Sequence, residues 1–98
     1  MTDEVRAVVI PAAQARPGEV ACVRGSIDSI RIEPHGAAPA LTASVSDGTG
    51  VIEAVFMGRR SIPGIEPGRL ITIHGRVARG DGAPHIFNPW YRIEGGEA

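Results

Sequence analysis

All ten cations of this 98-residue chain are arginines, and lysine is absent. A guanidinium is a planar fork that grips a phosphate through two parallel hydrogen bonds and also stacks on a base. Arg24, Arg59, Arg60, Arg76 and Arg79 are therefore candidate phosphate contacts, with Arg31 and His35 on neighbouring rims. Trp90, the single tryptophan, stands two residues before Arg92. Exposed there, it would stack on a base for about 1–3 kcal/mol or anchor a protein partner; packing against the N-terminal segment is its third use. A GC-rich coding sequence, which enriches arginine, alanine and glycine together, is the bland source of the same composition.

Other chemistries find no residues to carry them. His35, His74 and His85 lie in separate segments without ligand spacing, and Cys22 is the only cysteine, so no metal site and no cofactor is expected. Serine, histidine and aspartate occur, but no nucleophile elbow and no helix-borne carboxylate pair singles out a catalytic site. The chain reads as a non-enzyme. Cys22, in an apolar segment, reads as a small buried hydrophobe.

Composition limits the elements that can position these groups. The length suffices for one core, and with 43% apolar but only 4% aromatic residues that core must be Val, Ile, Ala and Leu. Clustered with glycine and proline, those types favour strands. Formal net charge is −1, which argues against a strongly basic surface. Four acids lie near the termini (Asp3, Glu4, Glu94 and Glu97), so the body between them is mildly basic. No apolar run approaches the ~18 residues of a membrane span, and no basic leader precedes the first apolar stretch. A soluble, cytoplasmic protein without membrane association is expected.

Helical periodicity is nearly absent while period two recurs. Residues 1–18 read as an N-terminal extension in which Val8, Val9 and Ile10 form a short strand or a last helical turn before Pro11. In VACVRGSIDSIRI (Val20 to Ile32), Ala21, Val23 and Ile27 share one face; Ile30 and Ile32 fall on the other parity, which predicts a strand bent at Gly25 with a bulge. Glu33 to Pro39 reads as a loop. Ala40 to Asp47 alternates as a half-buried strand, joined through Asp47-Gly48-Thr49-Gly50 to the strand VIEAVFM. Lacking a following Lys-Ser/Thr and helix, this glycine turn is no phosphate loop. Pro63-Gly64 and Pro67-Gly68 leave room for at most one helical turn before LITIHGRVAR, bent at Gly75 like the first strand. HIFNPWYRIE is a last strand, broken by Pro89 and hence an edge. Its parity assigns Phe87, Tyr91 and Ile93 to the core and exposes Trp90 and Arg92; Phe56 also reads as core. Residues 95–98 fray.

Five strands, two of them bent at glycines, predict an all-β fold: a five-stranded Greek-key OB-fold barrel over residues 19–94, with a short or absent helix between strands three and four. An SH3-like barrel is the rival. Four stretches carry a resemblance: Val23 to Ile27 as Val-x-Gly-x-Ile, Asp47 to Gly50 before the strand ending in Phe56, Glu66-Pro67-Gly68 before Ile73-x-Gly-x-Val77, and Asn88-Pro89-x-Tyr91. They resemble the OB-fold of the RecG wedge domain and, more closely, small stand-alone actinobacterial OB-fold nucleic-acid-binding proteins. The resemblance covers roughly Gly18 to Ile93, and its markers are turns and core positions, which speak to fold more than to activity. It implies binding of single-stranded or junction DNA, with DNA ahead of RNA, and, without a motor, no unwinding.

An OB barrel binds a strand over the outer faces of its second and third strands and the loops beside them. Weak, sequence-tolerant binding through Arg24, Arg59, Arg60, Arg76 and Arg79, with Trp90 stacking, is the first expectation. A protein-interaction module in a DNA-processing or other complex is the alternative, and an accessory domain with no ligand of its own the third.

Overall fold

Period-two alternation becomes strand wherever the chain carries it. The computed structural model describes residues 8–94 and contains β1 (Val20–His35), β2 (Ala38–Ser46), β3 (Val51–Met57), β4 (Leu70–Ala78), β5 (His85–Phe87) and β6 (Trp90–Glu94). The first half of β1 pairs antiparallel with β4, from Val20↔Arg76 to Ser26↔Leu70. Its second half pairs antiparallel with β2, from Ser26↔Ser46 to His35↔Ala38. β2 pairs antiparallel with β3, β3 runs parallel to β5, and β5 is antiparallel to β4. Five strands thus close a ring in the order β1-β2-β3-β5-β4 and back to β1. β6 pairs with β4 from His74↔Trp90 to Leu70↔Glu94. Its other edge is unpaired among the described residues.

The ring encloses the aliphatic core that the composition requires. Val23, Ile27, Leu41, Val45, Ile52, Ile71, Ile73, Val77 and Ile86 are each at most 2% exposed. Removing such a side chain from water contributes about 1.5–3 kcal/mol. Phe56 joins this core, as the alternation predicts, and Cys22 is buried, as its apolar segment suggests, although it lies on the outward parity of β1.

Two glycines let β1 and β4 bend round so small a core. β1 changes partner at Gly25-Ser26, where a Cβ on Gly25 would lie 2.5 Å from the Ser46 carbonyl oxygen. Just beyond, Asp28 is skipped between the pairs Ile27↔Val45 and Ser29↔Ser44. This bulge is the parity slip visible in the sequence. Gly75 makes the equivalent room in β4, where a Cβ would meet Ile86 Cγ2 at 2.7 Å.

Each end of the ring is plugged. At the start of β3, the Asp47 to Gly50 turn seats a 3-10 turn, Ala12–Gln14, whose Ala12 is buried in the core while Ile10 and Ala15, half-buried, pack against it. At the end of β3, residues 58–69 form turns without a helix, and Ile62 and Ile65 enter the core.

Several boundaries differ from the sequence reading. Glu33 to Pro39 is not a loop: β1 and β2 extend to a two-residue turn at Gly36-Ala37. Pro34 faces Pro39 across this hairpin, and the Pro39 carbonyl instead accepts from Gly58 on the β3 side. At such a non-hydrogen-bonded pair, neither proline's missing N–H is needed. The last strand is two strands, split at Asn88-Pro89. Val8 to Ile10 are neither strand nor helix, although Ile10 N donates to the Cys22 carbonyl on the free edge of β1. The remainder of the expected extension, residues 1–7, and the expected fraying at 95–98 lie outside the described residues.

Candidate nucleic-acid interface

Strand register decides which arginines converge. Arg24, Thr72 and Arg92 sit in one row across β1, β4 and β6, on the outer side of the sheet. At about 4.8 Å per strand the two arginine backbones are roughly 10 Å apart. The adjacent row is Cys22, His74 and Trp90, and Arg76 follows His74 at the same outward parity. The Arg92 guanidinium lies 5.9 Å from the Trp90 ring centroid, a cation–π contact. Its Nε also donates to Glu94 Oε2 at 3.1 Å, as does the Thr72 hydroxyl at 2.6 Å.

These neighbours set the electrostatics of the patch. The Thr72 hydroxyl holds the Glu94 carboxyl below its ordinary range; burial opposes this, and Arg92 and Arg24 reinforce it. Burial pushes the Cys22 thiol up, against a smaller pull from the same two arginines. Arg24 is exposed and in no ion pair among the described residues, whereas Arg76 donates to the Gly18 carbonyl at 2.7 Å. Trp90 is half-buried and less exposed than Phe87 and Tyr91, which corrects its expected place as the exposed aromatic: its ring is partly covered by the Arg92 guanidinium. The result is a mildly basic surface of three arginines around one indole and one carboxylate.

The remaining predicted residues lie elsewhere. Arg59 and Arg60 leave the end of β3, where Arg59 donates to the Ser61 carbonyl at 3.4 Å and Arg60 borders the β1–β2 hairpin beside Glu33, Pro34 and Pro39. Arg79 starts the β4–β5 loop and faces Ala15 and Pro17 of the N-terminal segment. The structure brings together Arg24, Arg76 and Trp90, and separates Arg59 and Arg60 from Arg79.

The outer face of β2 and β3, the expected binding surface, is covered by the chain itself. Thr42 and Ser44 point outward as the alternation predicts, yet they are 3% and 9% exposed. Arg31 reaches over them and donates to both Glu53 oxygens, at 3.1 and 3.2 Å, and to Glu33 at 3.1 Å. His85 Nε2 lies 3.3 Å from Glu53 Oε1, and the Ser44 hydroxyl donates to Glu53 Oε2 at 3.1 Å. Burial pushes the Glu53 carboxyl up, but Arg31, Ser44 and His85 together outweigh it and hold the group below its ordinary value.

Beside this network, Phe87 stacks on His85 at 6.0 Å and meets the edge of His35 at 5.8 Å. Phe87 is 42% exposed, which corrects its assignment to the core; Ile86 fills that place. Asn88, at φ 49°, reverses parity between β5 and β6, so the equal spacing of Phe87 and Tyr91 does not put them on one face. Tyr91 is also not fully buried: it is 37% exposed, edge-on to Phe56 at 5.5 Å. Arg92 was legible only as the parity partner of Trp90. Nothing local in the sequence reveals that Arg31 is held by Glu53.

Comparison with protein-family models and with curated proteins finds no match for this chain.

Proposed function

We propose that the ring is a Greek-key OB-fold and that the chain is a non-enzymatic module binding single-stranded nucleic acid weakly and with little sequence preference. The fold reading is supported by a bent β1 shared between β2 and β4, a parallel closure of β3 on β5, and a plugged connector between β3 and β4. The function rests on one observation: Arg24 and Arg92 flank a row beside Trp90. Phosphates take the guanidinium forks while a base stacks on the indole. Arg76 extends the track once it releases the Gly18 carbonyl.

Trp90, as the only tryptophan, reports on this surface directly. Titrating a single-stranded oligonucleotide at low salt should quench its fluorescence and raise the anisotropy of a labelled strand. Arg24→Ala should weaken both responses about twofold to fivefold, in keeping with an ion pair lost at an exposed site. Absence of any anisotropy change at low salt would overturn the reading.

A protein-interaction reading is favoured by the edge of β6, which is unpaired among the described residues and carries the half-exposed Tyr91. Such an edge accepts an added strand from a partner. Capture of a partner that survives nuclease and high salt, and is lost in Trp90→Ala, would favour this reading over the first.

A further inference from the structure

Three donors and an imidazole converge on one carboxylate in the middle of the β2–β3 face. Arg31 offers two N–H groups and Ser44 its hydroxyl, at 3.1–3.2 Å from the Glu53 oxygens, and His85 Nε2 lies 3.3 Å from Oε1. The Ala83 carbonyl, 2.9 Å from His85 Nδ1, can only accept, so Nδ1 carries a proton and the ring is fixed in direction. Nε2 can donate to Glu53 only in a ring that carries both protons. The cradle reaches solvent: the side chains of Arg31, His85 and Glu53 are 39%, 22% and 15% exposed.

We propose that Arg31, Ser44 and His85 form an oxyanion site whose resident occupant is the chain's own Glu53 carboxylate, and that an external phosphate group competes for it. A planar guanidinium, a hydroxyl and an imidazole suit a tetrahedral oxyanion as well as a carboxylate. Glu53 is neighbour to Ser44 and His85 on adjacent strands, so a turn of its own side chain would free the Arg31 and Ser44 donors and uncover His85 Nε2 with the strand pairing kept. Arg31 keeps a partner in Glu33, so opening the cradle does not leave the guanidinium unpaired. In taking the phosphate to belong to a strand, the proposal rests on the nucleic-acid reading; the cradle itself does not. Glu53 thereby keeps affinity on this face low.

The test uses inorganic phosphate and a labelled single-stranded oligonucleotide as separate probes, at matched ionic strength. In wild type, phosphate should perturb the Arg31 Nε and His85 ring NMR signals before those of other arginines and histidines. In Glu53→Ala, and less strongly in the near-isosteric Glu53→Gln, phosphate should bind about tenfold tighter or more, as expected for release of a bidentate charged partner. The oligonucleotide should gain similarly, and the gain should vanish in the Glu53→Ala/Arg31→Ala double variant. Uniform perturbation of all arginines in wild type, or folded variants no more responsive to phosphate than wild type, would overturn the cradle. Phosphate uptake without oligonucleotide binding would keep the cradle and sink the nucleic-acid reading. Equal oligonucleotide affinity in all variants would keep that reading and remove the strand from this face.

Discussion

A methyl group at position 25 would collide with main chain, because the Ser46 carbonyl oxygen stands 2.5 Å from where its carbon must go. Backbone in a ladder yields less than a side chain does, so Gly25→Ala should lower stability by about 1–3 kcal/mol, read as a lower urea midpoint with unchanged slope. Asn88 makes a sharper pair of variants. Its left-handed backbone is met by its own side chain, whose Oδ1 accepts from Met57 N at 2.9 Å, while its N–H donates to the Val55 carbonyl at 2.7 Å. Asn88→Gly keeps the backbone and loses one hydrogen bond, about 1 kcal/mol. Asn88→Ala loses the bond and adds a left-handed penalty, so it should unfold at lower urea than Asn88→Gly by a further ~1 kcal/mol. The same residue explains why simple alternation misplaces Phe87. Glycines that need close approach show themselves by their repeat, Val-x-Gly-x-Ile at Val23 and Ile-x-Gly-x-Val at Ile73, but a single left-handed asparagine inverts parity without a local sign.

Among elements, the Asp47 to Gly50 turn does more than reverse the chain. Asp47 Oδ1 accepts from the Thr49 N–H and hydroxyl, and Oδ2 accepts from Ala12 N, while Thr49 Oγ1 accepts from Ala13 N. The Thr49 hydroxyl, followed by the amides of Ala12 and Thr49, holds the Asp47 carboxyl at about 2 against an ordinary 3.8. A carboxyl depressed in the folded state stabilises it above the unfolded value, and that contribution disappears as pH falls through the folded one. The Ala12–Gln14 turn should therefore stay seated down to pH ~4 and loosen between ~4 and ~2. The amide proton shifts of Ala12 and Ala13 would show this, and Asp47→Asn should abolish the transition. The turn was legible because Asp-Gly-Thr-Gly carries its mechanism locally. Its use as a socket was not, since the partner lies 35 residues away in sequence. The β1–β2 hairpin failed for a related reason. Two prolines and a glycine read as a loop until Pro34 and Pro39 are known to face each other at a pair that needs no N–H.

Over the whole molecule, charge placement matters more than charge count. A formal charge of −1 hides an uneven distribution, with Arg24, Arg76 and Arg92 on the β1–β4–β6 side, Arg31 neutralised by Glu53 and Glu33, and Arg59, Arg60 and Arg79 at other places. Each phosphate neutralised on a single strand releases counterions and contributes about −0.7 to the slope of log affinity against log salt. Contact through Arg24, Arg76 and Arg92 implies a slope of about −2. A strand wrapped round the barrel to reach Arg59, Arg60 and Arg79 as well would give about −4. Anisotropy titrations at several salt concentrations distinguish these values without any variant. Arg24→Ala should then flatten the slope by about 0.7, while Arg79→Ala, beside Ala15 and Pro17, should leave it unchanged. A slope near −4, or an equal response to both substitutions, would move the interface away from Trp90 and make the barrel's whole circumference the binding surface.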